Sequence, residues 1–200
     1  MKVFVLLFSI FIGTFVHNTV QAATADQAII HEVREMLIDR DQEIKALLGP
    51  EGTEHTDAQR DELMDIINQI IDYEAMARHA LQETWGTLTQ AQREEFVDVF
   101  ARVIRDQSLN SLEIYRADVT YESFEVNGNF VTAHTIATLE NVRTPVIYEL
   151  ENRAGEWFVI DMSVDNVSTA ESYRRSFQRI IQRRGFDALM DNLRRRAGVS

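Results

Sequence analysis

Single histidines at 31, 55, 79 and 134, an aspartate set inside an apolar run and a crowd of C-terminal arginines are where chemistry could reside in this chain. The histidines do not pair at zinc spacing. With no cysteine in the sequence, thiol catalysis and thiolate-bound metals are excluded. Glycine-rich phosphate loops and nucleophile elbows are absent as well. His134 falls within a strand, where a paired or half-exposed histidine is the ordinary reading and a pocket-facing base the sharper one. Asp161 interrupts the apolar stretch Trp157 to Val164. A structural carboxylate bonding nearby backbone or Arg174/Arg175 competes there with a catalytic base. Asn166-Val167-Ser168 matches a glycosylation sequon, a pattern common by chance. These residues assign no catalytic group, metal or cofactor.

The arginines are concentrated. Residues 174–196 hold eight of them (174, 175, 179, 183, 184, 194, 195, 196) against Asp187 and Asp191, whereas residues 23–100 hold 18 acids and 6 bases. The formal net charge of −12 argues against nucleic acid as a partner. The ordinary reading of the arginines is a solvated helix face. The sharper one is a docking patch for anionic headgroups or an acidic protein, centred on Arg183, Arg184, Arg194 and Arg195.

The elements that must carry these groups follow from periodicity. Met1-Lys2 and the apolar run after it read as a cleavable export signal, with small residues placing cleavage after Ala22; a retained anchor is the competing reading. Removing it leaves residues 23–200 as a single domain that must bury a sizeable core without disulfides. An amphipathic helix is predicted over 25–48 and is stopped by Gly49-Pro50. A second opens at Thr56-Asp57 and runs to Trp85-Gly86 with a break near Asp72-Tyr73. A third follows the capping pattern Thr89-x-x-Gln92, and the stripe Phe96, Val99, Phe100, Val103, Ile104 could carry it to Tyr115.

At Ala117 the period changes. Segments 118–127, 129–140, 144–152 and 156–164 alternate, with Asn127-Gly128 the strongest hairpin signal. In the last, Phe158, Ile160, Met162 and Val164 are predicted on one face, and Trp157, Val159, Asp161 and Ser163 on the other. Apolar residues on both faces call for a layer on each side. Asp165-Asn166 breaks this strand, Ser168-x-x-Glu171 starts a helix, Gly185 ends it, and a further helix runs to about Leu193. The fold class is α+β: a four-stranded antiparallel meander (117–165) with helices before it (23–116) and closing helices after it (166–200).

In combination, Met76-Ala77, Trp85-Gly86-x-x-Thr89-x-x-Gln92-Arg93, Phe96, Phe100, Tyr115, Trp157-Phe158-Val159-Ile160-Asp161, Val167-Ser168, Tyr173-Arg174 and Phe177 resemble the MlaC family. The likeness extends from about residue 27 to residue 193. Asn166 departs from the family's usual glycine but still suits a left-handed turn. The resemblance implies a periplasmic, non-enzymatic carrier with no cofactor. It would be a monomer that moves phospholipid between an outer-membrane Mla lipoprotein complex and an inner-membrane Mla ABC transporter complex. It also implies a curved, nuclear-transport-factor-2-like sheet whose helices enclose an apolar pocket. The expected lining is Phe100, Val103, Ile104, Val131, Ile136, Val146, Tyr148, Met162, Val167, Tyr173 and Phe177. Two other classes stay open: an enzyme on such a sheet using Asp161 or His134, and an adaptor with a solid core.

Overall fold

The computed structural model describes residues 16–109 and 112–199, so most of the expected export signal, residues 1–15, lies outside the described residues. Helix α1 (Val16–Leu48) begins earlier than Ala25 and passes through Ala22 without a break. It stops where Gly49 turns left-handed (φ 59°), as the Gly-Pro pair predicts. Helix α2 (Asp57–Asn68) is opened by a reciprocal box in which the Thr56 hydroxyl accepts from the Gln59 amide and the Gln59 side chain accepts from the Thr56 amide.

The predicted break is real. Helix α3 (Tyr73–Leu81) starts behind Asp72, whose carboxylate accepts from the Ala75 amide at 2.8 Å. A single turn, α4 (Glu83–Thr87), carries Trp85, and α5 (Gln90–Leu109) follows the same kind of box between Thr89 and Gln92. Helix α5 ends at Leu109 and does not reach Tyr115; a 3₁₀ turn spans Leu112–Arg116. That turn is tied elsewhere, because the Arg116 guanidinium donates to the carbonyls of Leu48 and Gly49 at the end of α1.

Strands β1 (Asp118–Asn127), β2 (Phe130–Leu139), β3 (Val142–Arg153), β4 (Glu156–Val164) and β5 (Val167–Ser168) form one antiparallel meander in sequence order. The fifth strand is new to the sequence reading. Asp165 (φ 50°) and Asn166 (φ 61°) are both left-handed, so the break after β4 is a tight hairpin turn that returns the chain for two paired residues. Helix α6 (Thr169–Arg184) then starts on Ser168, Gly185 (φ 82°) ends it, and α7 (Phe186–Arg196) completes the chain.

Two bulges decide which side chains share a face. In β4, Val159 pairs with Leu150 and Asp161 with Glu149, so Ile160 is the extra residue and parity reverses across it. Met162 therefore shares its face with Trp157 and Val159, not with Phe158 and Ile160, and Asp161 moves to the opposite side. Glu122 plays the same part in β1, keeping Tyr121 and Phe124 on one face. That face holds Val131, Ala133, Leu150, Trp157 and Val159 and is covered by Val33 and Leu37 of α1. The other face contributes no residue to the three buried clusters, so the expected layer on each side is absent among the described residues. The main helical cluster instead packs α3, α5, α6 and α7 around Phe96, Phe100 and Phe177. A small third cluster joins Ile44 and Leu48 of α1 to Leu63 and Ile67 of α2.

Asp161 is the joint between sheet and closing helix. Its carboxylate accepts from the amides of Met162 (2.8 Å) and Ala170 (2.9 Å) and from the Ser168 hydroxyl, which itself caps the Glu171 amide at 3.0 Å. Asp161→Ala strands the donors at a helix start and should lower stability by about 2–4 kcal/mol, with Asp161→Asn losing less because its amide oxygen still accepts. Urea unfolding with an unchanged slope measures this; equal stability for all three proteins would show the joint to be idle.

Candidate functional site

The apolar face of the sheet and the hairpin of α1 and α2 do not close completely. Between them is a cavity of about 140 Å³, reached from the sheet by Val119, Tyr121, Tyr148, Val159 and Met162. Leu37, Arg40, Asp41 and Ile44 of α1 roof it, Ile67, Ile70 and Ile71 at the end of α2 close one side, and Met76 and Ile104 reach in from α3 and α5. The void lies where the three buried clusters meet, since Leu37 and Val159, Ile44 and Ile67, and Met76 and Ile104 belong to different ones.

Backbone pairing fixes the side wall. The outer edge of β4 near its bulge is taken by the α2–α3 link: the Val159 amide donates to the Ile70 carbonyl (2.6 Å), and the Asp72 amide donates to the Val159 carbonyl (2.9 Å). Asp72 also accepts from Arg153, and the Tyr73 hydroxyl donates to Asn68 across the link. Ile70 and Ile71 are thereby held against the cavity.

The wall has few polar groups. Tyr148 is pushed up to about 12 by burial, with Tyr115 and Asp41 nearby adding to the shift, and Tyr121 is raised further, again mainly by burial. Both phenols are neutral at physiological pH. Asp41 is paired with Lys45 at 2.8 Å. Arg40 donates through Nη1 to Glu43 (2.9 Å) and to Gln69 of α2 (3.2 Å).

Of the expected lining, Ile104, Tyr148 and Met162 border this cavity. Phe100, Tyr173 and Phe177 do not; their rings pack on one another with centroids 4.8–5.4 Å apart, inside the helical cluster that also buries Val103. Val131 lies under α1. Val146 is buried on the cavity side of the sheet, opposite Val164, and Val167 stands 54% exposed at β5. Ile136 is a correction. It pairs with Pro145 and Thr120, and strand alternation puts it on the face opposite Val131, Ala133 and Thr135, away from the cavity.

The α1–α2 contribution escaped the sequence reading. Its one local signal is Arg40-Asp41 interrupting an apolar stripe of Leu37 and Ile44.

The candidate bases do not meet the cavity. His134 shares the far face with Ile136 and sits 3.5 Å from Glu125, while Asp161 is occupied by capping. Among the described residues, no three His, Asp or Glu side chains converge as a metal site, and no helix is long and apolar enough to cross a membrane. Of the proposed docking arginines, Arg194 is engaged by Glu95 (2.5 Å) and Asp191 (3.2 Å).

A wider groove of about 590 Å³ runs between α3 and α5, where Arg78 and Arg93 stack on Trp85. It is an open surface groove. Arg93 also donates to the Trp85 carbonyl at 2.9 Å, so this tryptophan and arginine fasten α4 to α5.

A curved, open antiparallel sheet with one apolar face, closed by helices over a largely apolar cavity, defines an α+β fold with room for an apolar group. The sequence matches the family model described as MlaC protein over residues 39–195, and the chain belongs to that family. Among solved structures it is similar to a phospholipid-binding protein from Ralstonia solanacearum in complex with a phospholipid, with 20% identity and a TM-score of 0.70. That alignment covers 83% of this chain and 94% of the other. A comparison with curated proteins finds no match.

The half-buried Tyr148 phenol gives the cavity a signature at high pH. Tyr148 holds its proton more tightly folded than unfolded, so its contribution is complete below the ordinary phenol value of about 10 and is lost as pH rises toward 12. Stability should fall by roughly 2–3 kcal/mol more across that window in the wild type than in Tyr148→Phe. Urea midpoints at pH 9, 10.5 and 11.5 measure the difference, and parallel profiles would mean that Tyr148 ionises like a solvated phenol.

Proposed function

We propose that this protein is a periplasmic carrier that holds phospholipid by its acyl chains and shuttles it between outer-membrane and inner-membrane Mla components, maintaining outer-membrane lipid asymmetry. The observation that carries the reading is the apolar cavity between the sheet and the α1–α2 hairpin, in a chain of the MlaC family. The phospholipid bound by the Ralstonia protein, whose fold this chain shares, supports it. Residues 1–22 act as the export signal and residues 23–200 as one lipid-binding domain that works as a monomer.

The chemistry needs enclosure of the tails. Each buried methylene contributes roughly 0.8 kcal/mol, so two long chains represent on the order of 20 kcal/mol gross, and leaving one in water forfeits about half. The cavity of about 140 Å³ matches the size of one that holds a benzene. Lipid loading therefore widens it, and the seam between the three clusters is where it opens. Val146, Val164 and Val167 extend the apolar face toward the β4–β5 turn and give the chains a path outward.

Native mass spectrometry of gently purified protein, followed by lipid extraction, should find one phospholipid or more per chain, with little selection among headgroup alcohols. Met162→Glu places a carboxylate beside the chains at a cost of several kcal/mol and should empty the protein while leaving a cooperative thermal transition. Ile136→Glu, on the far face, should retain lipid. A wild-type protein that is lipid-free and cannot be loaded from vesicles would refute the carrier.

Delivery uses the arginines left open on α6 and α7. Arg183→Gln/Arg184→Gln/Arg195→Gln should slow transfer to membrane-bound acidic partners at low salt and leave lipid retention unchanged, because exposed charge steers encounter over about 10 Å at 0.1 M. Transfer rates that match the wild type at low ionic strength would reduce the patch to a solvated face.

A further inference from the structure

We infer that Arg40 is the phosphate-reading residue of the cavity, so that the protein selects glycerophospholipids over uncharged diacyl lipids; the inference rests on the carrier reading and names what its rim recognises. Among the described residues Arg40 is the one cation on the cavity wall. Its side chain is 22% exposed, which sets it between the apolar interior and solvent, where the glycerophosphate of a tail-buried lipid must lie.

Its hydrogen bonds are lopsided. Both protein acceptors, Glu43 and Gln69, take Nη1. Nε is shielded from solvent and has no acceptor among the described residues. A buried guanidinium donor left unpaired is unfavourable, and the Nε/Nη2 edge is the fork that matches two phosphate oxygens. The nearest acid on the wall does not compete for it, because Asp41 is held by Lys45. Gln69 steadies the guanidinium from α2 through Nη1 and leaves Nε without a protein acceptor among the described residues. Every glycerophospholipid carries this phosphate, so the site separates phospholipid from diacylglycerol without discriminating among headgroup alcohols.

The test loads the mature protein from vesicles of equimolar dioleoylphosphatidylcholine and dioleoylglycerol, then measures the ratio of the two lipids extracted from it. The wild type should be enriched in the phospholipid by about tenfold, the value of one charge-assisted hydrogen-bond pair. Arg40→Met keeps the length without the fork and should bring the ratio within about twofold of the vesicles while still binding diacylglycerol. Arg40→Lys, which keeps charge but lacks Nε, should fall between them and serves if the methionine variant does not fold. Gln69→Ala removes only the strut to α2 and should keep most of the preference. A wild type that takes both lipids equally, arginine variants with wild-type selectivity, or a Gln69→Ala protein as unselective as Arg40→Met would each overturn the role given to Arg40. A wild type that takes neither lipid would instead refute the carrier.

Discussion

The open edge of β4 is the constraint on which the arrangement depends. An unpaired strand edge must be covered, and beyond Ser163 and Val164 the β5 strand is too short to do it. The chain covers it with the α2–α3 link, through the two hydrogen bonds on either side of Val159. Those bonds fix where α2 ends, and Asp72, already engaged in them, caps α3. They also press Ile70 and Ile71 toward the sheet. The bulge at Ile160, next to this joint, returns Met162 to the cavity side and sends Asp161 outward to cap α6. Edge protection, cavity wall and closing helix thus share the four consecutive positions Val159 to Met162 of one strand.

The packing divides into a rigid part and a parted one. Phe96, Phe100, Tyr173, Phe177 and Phe186 interlock through edge-to-face, stacked and tilted contacts, which fixes α5, α6 and α7 to one another. Over the sheet, α1 is held by two separate small clusters, with Leu37 on the strands and Ile44 and Leu48 on α2. Residues whose stripes looked alike in sequence therefore differ in kind: the aromatic ones build the frame, and the aliphatic ones of α1 and α2 border the void.

Much of the fold was legible because its signals are local. Thr56, Thr89, Ser168, Gly49, Gly185 and Asn127-Gly128 act within four residues of themselves, and each marks a boundary that the structure keeps. The meander was legible from alternation. What failed was anything set by register across strands. A bulge moves a side chain to the other face with no change in composition, so Met162 was assigned with Ile160 and separates from it. Val131 and Ile136 lie an odd number of residues apart on an unbulged strand and could not line one wall. The roof of the cavity was missed for a related reason. Amphipathic stripes say that a helix is buried but not against what, and Arg40 and Asp41 become informative only when α2 and the sheet are beside them.

The size of the cavity follows from the same energetics as its ligand. A void left in a packed interior costs on the order of 24 cal/mol per Å³. At about 140 Å³ the present one costs about 3 kcal/mol, which a domain with 5–15 kcal/mol of net stability can carry. At the same rate a pocket of about 1,000 Å³ left empty and dry would cost more than 20 kcal/mol, beyond that net stability, so an emptied one fills with water or closes. A protein that encloses two acyl chains therefore stays filled, by lipid or by water, or collapses when emptied. On the carrier reading, collapse also makes release feasible, because contacts among cavity-lining residues such as Leu37, Ile44, Ile67, Met76, Ile104 and Val159 would replace those a lipid gives up. The divided packing of α1 allows that exchange while the aromatic frame, and with it the arginine-bearing face of α6 and α7, stays in place. On the carrier reading, opening at one seam leaves the arginine-bearing face of α6 and α7 unchanged between loaded and empty states.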